Sequence, residues 1–386
     1  MDVYSHSQSQ PLSAVGVIAE YNPFHNGHLY QLLKAKEETS PDTLVVLMSG
    51  SFTQRGDIAV ADKYTRADWA INAGADIVLE LPTVYSLSPA NKFAMGAMRT
   101  LSVFGEFTLS FGSESGDLSA LEMAVDTLGL ETKEFKELLS DYMSKGYSLA
   151  KARTMALDNP VVSEIIGSPN NILGVEYIKA VKALSLPVSF HTVKRRYSEN
   201  GGLFLSSTEI RKMLKQGEDY SKAVPPFVKL KDIDRKTYSS ICLYAINNMT
   251  AEELERVSNI SEGFENRLKK LTFSSIEELY ALTTKRYTKS TVKRIIASAT
   301  LNLTKELVET AEENEPYIRV LALRESRKDL LSFLGDRTKN LYLKASDCPA
   351  DSVYKPLIDM DEKANRFLSI VNGEHNKILD KPSFLR

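Results

Sequence analysis

The first part of the chain alternates short apolar runs with longer segments of mixed polarity. Val15, Val17 and Ile18 form the first run, and residues 43–48 form a continuous one that ends at Ser49 and Gly50. Further strands are predicted at 76–82, 107–114 and 188–195. Continuous runs of this length are typical of parallel strands that are covered on both faces. The pattern therefore predicts the strands of a parallel sheet.

Between these runs, apolar residues recur at helical spacing. Leu29, Leu32 and Leu33 open the first such segment, and others occupy 62–73, 89–104, 119–166 and the residues that follow Pro169. Strands that alternate with helices, joined by right-handed crossovers, form a doubly wound sheet. We therefore predict a Rossmann-like α/β fold for residues 14–217, preceded by a flexible polar tail at 1–13.

The pattern becomes mainly helical after Val224, where Pro225 and Pro226 interrupt the chain. We place a domain boundary there, with a sheet domain at 14–225 and a mainly helical region at 226–386. Within that region, an apolar run at 317–323 and a helix-like segment at 362–371 predict a small closing subdomain.

Composition limits the class of protein. A chain of 386 residues with 43% hydrophobic content can bury a large core. Its net charge of -2 carries no overall basic excess, so any nucleic-acid surface has to be a local patch. Cys242 and Cys348 have no metal-binding spacing and favour a reduced, cytoplasmic protein. We expect no membrane association, because no apolar stretch is long enough to cross a bilayer and the N-terminus does not resemble a signal peptide.

The first chemical motif is His25-Asn26-Gly27-His28, in the turn between the first strand and the first helix. A helix N-terminus presents unpaired N–H groups and stabilises an anion such as phosphate. Both histidines are candidate donors to a phosphate on which charge develops during attack, and Gly27 would let a nucleotide approach the backbone. Taken alone, two histidines at a helix start are equally well interpreted as capping or surface residues. A zinc pair is less favoured, because no further ligands accompany it.

A second helix start lies at residues 205–214. Ser206 and Glu209 form a capping box, which leaves Ser207, Thr208 and nearby N–H groups to face an anion, with Arg211 one turn further. By itself this is an ordinary helix start. Combined with the histidine turn on the same kind of sheet, it predicts a second phosphate clamp.

Other candidates lie at strand and helix ends. Gly112 ends a predicted strand, where an adenine or ribose could pack against the backbone, although an ordinary turn is an equal interpretation. Asn171 either caps a helix or contacts a substrate edge. Arg195 and Arg196 open a basic, glycine-bearing loop suited to triphosphate or RNA. Arg55 is a candidate anion contact, with a solvated loop arginine as the default reading.

A basic segment at 284–294 includes Lys285, Arg286 and Lys289 around Tyr287. Such a segment suits backbone phosphates together with one stacked base. A solvated helix face is the alternative and is preferable in a protein without other indications of RNA binding.

Taken together, these motifs resemble the bacterial tRNA(Met) cytidine acetate ligases, relatives of the nucleotidyltransferases with a His-x-Gly-His motif. The similar stretches follow one another along most of the chain: AEYNPFHNGH at 19–28, SFTQRG at 51–56, ADIVLELP at 75–82, FGSE at 111–114, PNNILG at 169–174, SSTEIR at 206–211 and TKRYT at 284–288. The resemblance implies that acetate is activated with ATP to acetyl-adenylate. The acetyl group would then pass to the wobble cytidine of elongator tRNA(Met), forming N4-acetylcytidine.

The resulting expectations for the site are these. We expect His25 and His28 to be the catalytic pair. We expect ATP as the cofactor, accompanied by Mg²⁺, although no carboxylate pair in the sequence identifies the metal ligands. Lys285, Arg286 and Lys289 are the expected tRNA contacts. The expected ATP contacts are Ile18, Ala19, Glu20, Tyr21, Asn22, Phe24, Asn26, Gly27, Gln31, Gly112, Asn171, Arg195, Arg196, Ser207, Thr208 and Arg211.

Two alternatives remain. The first is a small-molecule adenylyl- or cytidylyltransferase, for which the large helical region would be unneeded. The second is a nucleotide-binding protein without chemistry. Release of AMP that depends on acetate would indicate the ligase, and release of pyrophosphate that does not depend on acetate would indicate the transferase. Release of neither product would indicate the binding protein.

Overall fold

The computed structural model describes residues 12–129, 133–147, 152, 155–156, 160–196, 202–261, 263–284, 287–374 and 382–385. Its strands are Ala14–Ala19 (β1), Thr43–Ser49 (β2), Ile77–Leu81 (β3), Phe107–Ser113 (β4), Val188–Lys194 (β5), Ile318–Arg324 (β6), Leu341–Tyr342 (β7) and Ser383–Leu385 (β8). They form one eight-stranded sheet in the order β5-β4-β1-β2-β3-β6-β7, with β8 paired to β6.

Helices connect and cover these strands. Up to the double proline they are Asn26–Thr39 (α1), Lys63–Asn72 (α2), Thr83–Ser86 (α3), Ala90–Leu101 (α4), Leu118–Gly129 (α5), Lys133–Ser144 (α6), Pro160–Gly167 (α7), Pro169–Leu184 (α8) and Ser207–Gln216 (α9). Beyond it they are Arg235–Asn248 (α10), Ala251–Arg256 (α11), Phe264–Lys269 (α12), Ile276–Tyr280 (α13), Lys289–Leu301 (α14), Lys305–Glu313 (α15), Asp329–Gly335 (α16) and Lys355–Val371 (α17).

The predicted Rossmann-like sheet is confirmed. The strands β1 to β5 pair in parallel, and the order reverses at β1, because β2 and β3 lie on one side of it and β4 and β5 on the other. Ligands of open α/β sheets bind outside the carboxyl ends of the strands at such a reversal. The fold therefore places its candidate site at the ends of β1 and β4.

Both faces of the sheet are largely buried along β1 to β3, whereas β5 at its edge is mostly only partly buried. Along β2, Leu44, Val46 and Met48 belong to one hydrophobic cluster, whereas Val45 and Leu47 belong to the other. Successive side chains of a strand point to opposite faces, so a strand with helices on both sides needs apolar residues at every position.

The C-terminal region differs from the expectation of a separate closing subdomain. The apolar run predicted at 317–323 forms β6, which is buried along most of its length and pairs antiparallel with β3. This pairing covers the edge that β3 would otherwise expose. The sheet is therefore mixed, and the division near Pro225 does not coincide with the end of the sheet.

Candidate active site

A cleft opens at the carboxyl ends of β1 and β4, where the strand order reverses. It encloses about 1230 Å³ of space, counting its open mouth. The predicted ATP and catalytic residues that line it are Ile18, Ala19, Glu20, Tyr21, Asn22, His25, Gly27, His28, Gln31, Gly112, Arg195, Arg196, Ser207 and Arg211. Residues from four separate stretches of sequence thus meet in one place.

The two histidines stack at the start of α1, with ring centroids 3.7 Å apart. His25 is the N-cap residue, and its Nδ1 accepts the Gly27 N–H at 3.0 Å. Nδ1 of His28 accepts the N–H of His25 at 3.3 Å. A ring nitrogen that accepts a hydrogen bond carries no proton, so each neutral imidazole holds its proton on Nε2. Each ring is therefore set up as an Nε2–H donor.

Burial keeps both rings uncharged. Burial, together with the nearby Arg195 guanidinium, lowers the pKa of His25 to about 3. Burial also holds the pKa of His28 well below its usual range, with smaller contributions from His25 and Arg195. Neutral donors in a partly dry cleft stabilise charge that develops on a ligand without needing to be protonated first.

The glycine between the histidines is required by the rings themselves. A Cβ on Gly27 would lie 2.8 Å from Cε1 of His25 and 3.0 Å from its Nδ1. Any side chain here would displace the imidazole. The structure thus gives a reason for glycine at position 27 that differs from the close approach of a nucleotide to the backbone, which the sequence suggests.

The second clamp meets the first across the cleft. The predicted capping box is confirmed, with Ser206 Oγ accepting the Glu209 N–H at 3.3 Å and Glu209 Oε2 accepting the Ser206 N–H at 2.7 Å. Arg211 donates to the carbonyl of Asn22 in the histidine turn and, at 3.2 Å, to Thr208 Oγ1. The N-termini of α1 and α9 therefore open into the same space, and both favour an anion there.

Arg195 and Arg196 reach the cleft from the end of β5. The Arg196 guanidinium lies over the Tyr30 ring, 4.2 Å from its centroid, and 5.9 Å from that of Phe204. Gly112 adjoins them, because a Cβ there would contact Arg195 Cγ at 3.6 Å. This corner combines cationic groups with flat apolar surface, a composition suited to a nucleotide.

Four predicted ATP contacts do not line the cleft. Phe24 is fully buried behind the histidines, against Tyr21, His28 and Phe227. Asn26 donates its amide to the carbonyls of Leu203 and Lys222 at 3.0 and 2.8 Å. The other two are Asn171, whose Oδ1 accepts the Glu114 N–H at 3.0 Å, and Thr208, which faces Arg211. All four support the walls of the cleft.

The sequence interpretation missed a buried arginine that organises the site. The fully buried Arg66 donates to the carbonyls of Glu20, Ser49, Ala61 and Gly50, the first three at 2.6, 3.1 and 3.0 Å. It thereby ties the end of β1 to the end of β2. Its position on the buried side of α2, which also carries Lys63, was a usable signal, because arginine is seldom buried without partners. The sequence analysis also did not identify several cleft-lining residues whose apolar or aromatic side chains are typical of a core. They include Tyr30, Phe93, Phe111, Leu173, Tyr177 and Phe204.

The basic segment is only partly described. Lys285 and Arg286 lie outside the described residues, and Lys289 is exposed at the start of α14. Tyr287 cannot stack on a base as the sequence suggests, because it is buried and stacks on Phe264 with centroids 4.2 Å apart.

The next turn of α14 packs on the loop that follows β2. Lys293 forms an ion pair with Asp57, and Arg294 donates to the Gln54 carbonyl at 3.2 Å. A Cβ on Gly56 would lie 2.5 Å from the Arg294 nitrogen, so the loop and α14 are in close backbone contact. The basic segment is thus held beside the cleft by one loop.

The described residues show neither a metal site nor a membrane span. They contain no group of three or more His, Cys, Asp or Glu side chains that could hold a metal ion. They also contain no helix long and apolar enough to cross a membrane.

Comparisons with known proteins agree with this geometry. The family model for the HIGH nucleotidyl transferases matches residues 12–381. A tRNA(Met) cytidine acetate ligase of Caldicellulosiruptor saccharolyticus is 35% identical over 95% of this chain and 96% of its own length. One from Thermoanaerobacter sp. (strain X514) is 36% identical over 83% of this chain and 85% of its own. The crystal structure of Thermotoga maritima TmcAL bound with alpha-thio ATP covers 97% of this chain and all of its own, with 30% identity and a TM-score of 0.85.

Proposed function

Since the chain belongs to the tRNA(Met) cytidine acetate ligase family, we propose that it activates acetate with ATP and acetylates a tRNA. In the first step an acetate oxygen attacks the α-phosphorus of ATP, which forms acetyl-adenylate and releases pyrophosphate. In the second step the acetyl group passes to the exocyclic amine of the wobble cytidine of elongator tRNA(Met). The product is N4-acetylcytidine.

The observation that carries the first step is the pair of Nε2–H donors at the start of α1, opposite the start of α9. Charge accumulates on the phosphate oxygens as acetate attacks and pyrophosphate departs. Donors that are already oriented stabilise this charge without reorganising, and the two helix N-termini act in the same sense. This route requires no covalent nucleophile from the protein.

Different lining residues are assigned to different parts of the nucleotide. We assign the phosphates to His25, His28, Ser207 and Arg211, and the nucleoside to the corner made by Gly112, Gln31, Arg195 and Arg196. The backbone of residues 18–22 and Gly27 forms the floor between them. The donors and cations of this set fit a triphosphate.

Mg²⁺ is the expected companion of ATP. Among the lining residues in the described ranges, Glu20 is the one carboxylate. The phosphates and water would therefore supply most oxygen ligands, as is usual for Mg²⁺ bound with nucleotides.

We assign tRNA binding to Lys285, Arg286 and Lys289. Support comes from the exposure of Lys289 and from the packing of α14 on the loop beside the cleft. A phosphate backbone held there would lie next to the site of chemistry, since Gln54 of that loop also contacts Glu20.

The test uses purified protein with ATP and labelled acetate, with and without bulk bacterial tRNA. We expect acetate-dependent exchange of pyrophosphate into ATP in the absence of tRNA, and N4-acetylcytidine in tRNA by mass spectrometry when it is present. Pyrophosphate release without acetate would instead favour the small-molecule nucleotidyltransferase. No release under any condition would favour a binding protein.

A further inference from the structure

Glu20 lies at the border between two parts of the cleft. Gly112, Arg195 and Arg196 line it from the β4 and β5 side of β1. Glu20 directly follows β1, and its Oε1 accepts the Gln54 N–H at 2.7 Å from the loop that follows β2 on the other side. The Glu20 carboxylate is therefore held on the β2 side of β1, whereas the nucleotide corner lies on the β4 and β5 side.

The other titratable groups of the cleft are poorly suited to accept a proton. Nδ1 of His25 and Nδ1 of His28 are already engaged by backbone N–H groups, and burial lowers the pKa of both rings. The remaining titratable lining residues are phenols or cationic side chains: Tyr21, Tyr30, Tyr177, Lys194, Arg195, Arg196 and Arg211. Glu20 is the one carboxylate among the lining residues that the structure describes.

The surroundings of Glu20 suit it to accept a proton. Burial raises its pKa, opposed by the Gln54 N–H and by Arg55 and Arg211, while Asp57 raises it further. The charged or titratable groups that face it from other elements are Arg66 on α2, Tyr177 on α8 and Arg211 on α9. A raised pKa makes a carboxylate a stronger proton acceptor. Within the described chain the hydrogen bond from Gln54 engages Oε1, and Oε2 carries none.

We propose that Glu20 accepts the amine proton during acetyl transfer, an inference that rests on the proposed function. The N4 lone pair attacks the acetyl carbonyl carbon of acetyl-adenylate and forms the C–N bond, while one N4 proton passes to Glu20 Oε2. The C–O bond to the phosphate then breaks, and AMP leaves with that oxygen and its electron pair. Glu20 afterwards releases the proton to water. The amine is conjugated with the pyrimidine ring and weakly nucleophilic, so proton removal as the bond forms assists the attack.

The test is Glu20→Gln, which keeps an oxygen acceptor for the Gln54 N–H. Synthetic acetyl-adenylate and tRNA are mixed with excess enzyme, and transfer is followed in a single turnover from acidic to alkaline pH. We expect transfer to slow by about 10²- to 10⁴-fold, the usual contribution of a general base. The wild-type rate should rise with pH through an apparent pKa above the ordinary glutamate value, and this rise should disappear in the variant. Acetate-dependent pyrophosphate exchange should fall far less than transfer.

Two further variants serve as controls. Glu20→Asp should restore part of the transfer rate and of the pH dependence, which a purely structural role would not require. Glu106→Gln makes the same substitution at an exposed glutamate next to the opposite end of β4 and should behave as wild type. Thermal melting of each variant reports on folding.

Three results would overturn the proposal or its premise. A Glu20→Gln transfer rate and pH profile equal to wild type would refute proton acceptance. Equal loss of exchange and transfer in a folded variant would also refute it and indicate that Glu20 serves ATP or Mg²⁺. Absence of acetate-dependent exchange in the wild-type protein would refute the proposed function itself, and the role of Glu20 with it.

Discussion

Replacing His28 by alanine removes one of the two oriented Nε2–H donors. Loss of one such donor typically costs about 2.7–4 kcal/mol of transition-state stabilisation. Since about 1.4 kcal/mol corresponds to tenfold in rate, acetate-dependent pyrophosphate exchange should fall about 10²- to 10³-fold. The affinity for ATP should change much less, because the donor acts mainly on charge that develops during attack.

The same substitution has a smaller structural cost that can be measured separately. His28 Nδ1 accepts the His25 N–H in the capping box of α1, and its ring packs on Tyr21 and Phe24. Loss of the cap should lower the free energy of unfolding by about 1 kcal/mol. His28→Gln, whose amide can donate, is the matched control and should recover part of the exchange rate. A folded His28→Ala protein with full exchange activity would refute the assigned role.

Three other perturbations test separate parts of the account. Arg211→Ala should weaken ATP binding or slow turnover more than it lowers the melting temperature; unchanged ATP affinity would make Arg211 a structural residue only. Because burial lowers the pKa of His25 to about 3, the unfolded chain binds a proton there below pH 6.5 that the folded chain does not. Urea unfolding should therefore show stability falling as pH drops below 6.5, by up to about 1.4 kcal/mol per pH unit from this residue, and His25→Asn should reduce that slope. Neutralising Lys285, Arg286 and Lys289 together should weaken tRNA binding and lower the slope of the logarithm of the tRNA association constant against the logarithm of the salt concentration by about 2–3. Acetyl-adenylate formation should be retained. Normal tRNA acetylation by this variant would contradict the assignment and favour the basic loop after β5.

Local patterns predicted the parts of the fold that depend on neighbouring residues. The Ser206 and Glu209 capping box and the strand-turn-helix around His25 are determined within a few positions, so their sequence was sufficient. The two-sided burial of β2 followed from its unbroken apolar run.

Features that depend on distant partners were not predicted. The apolar run that forms β6 does not reveal that its partner is β3, which lies far earlier in the chain. Tyr287 and Asn171 have side chains suited to recognition, but Phe264 and Glu114 engage them instead. The assigned roles of the lining residues remain predictions that the experiments above test.

The central claim is that acetate is activated through its oxygen on the α-phosphate of ATP. Acetate labelled with ¹⁸O at both oxygens, supplied with unlabelled ATP and tRNA, tests this directly by mass spectrometry of the AMP released. If acetyl-adenylate forms and the amine attacks its carbonyl carbon, each AMP should carry one ¹⁸O atom, because the bridging oxygen stays with phosphorus. Release of AMP without ¹⁸O during tRNA acetylation would contradict the account.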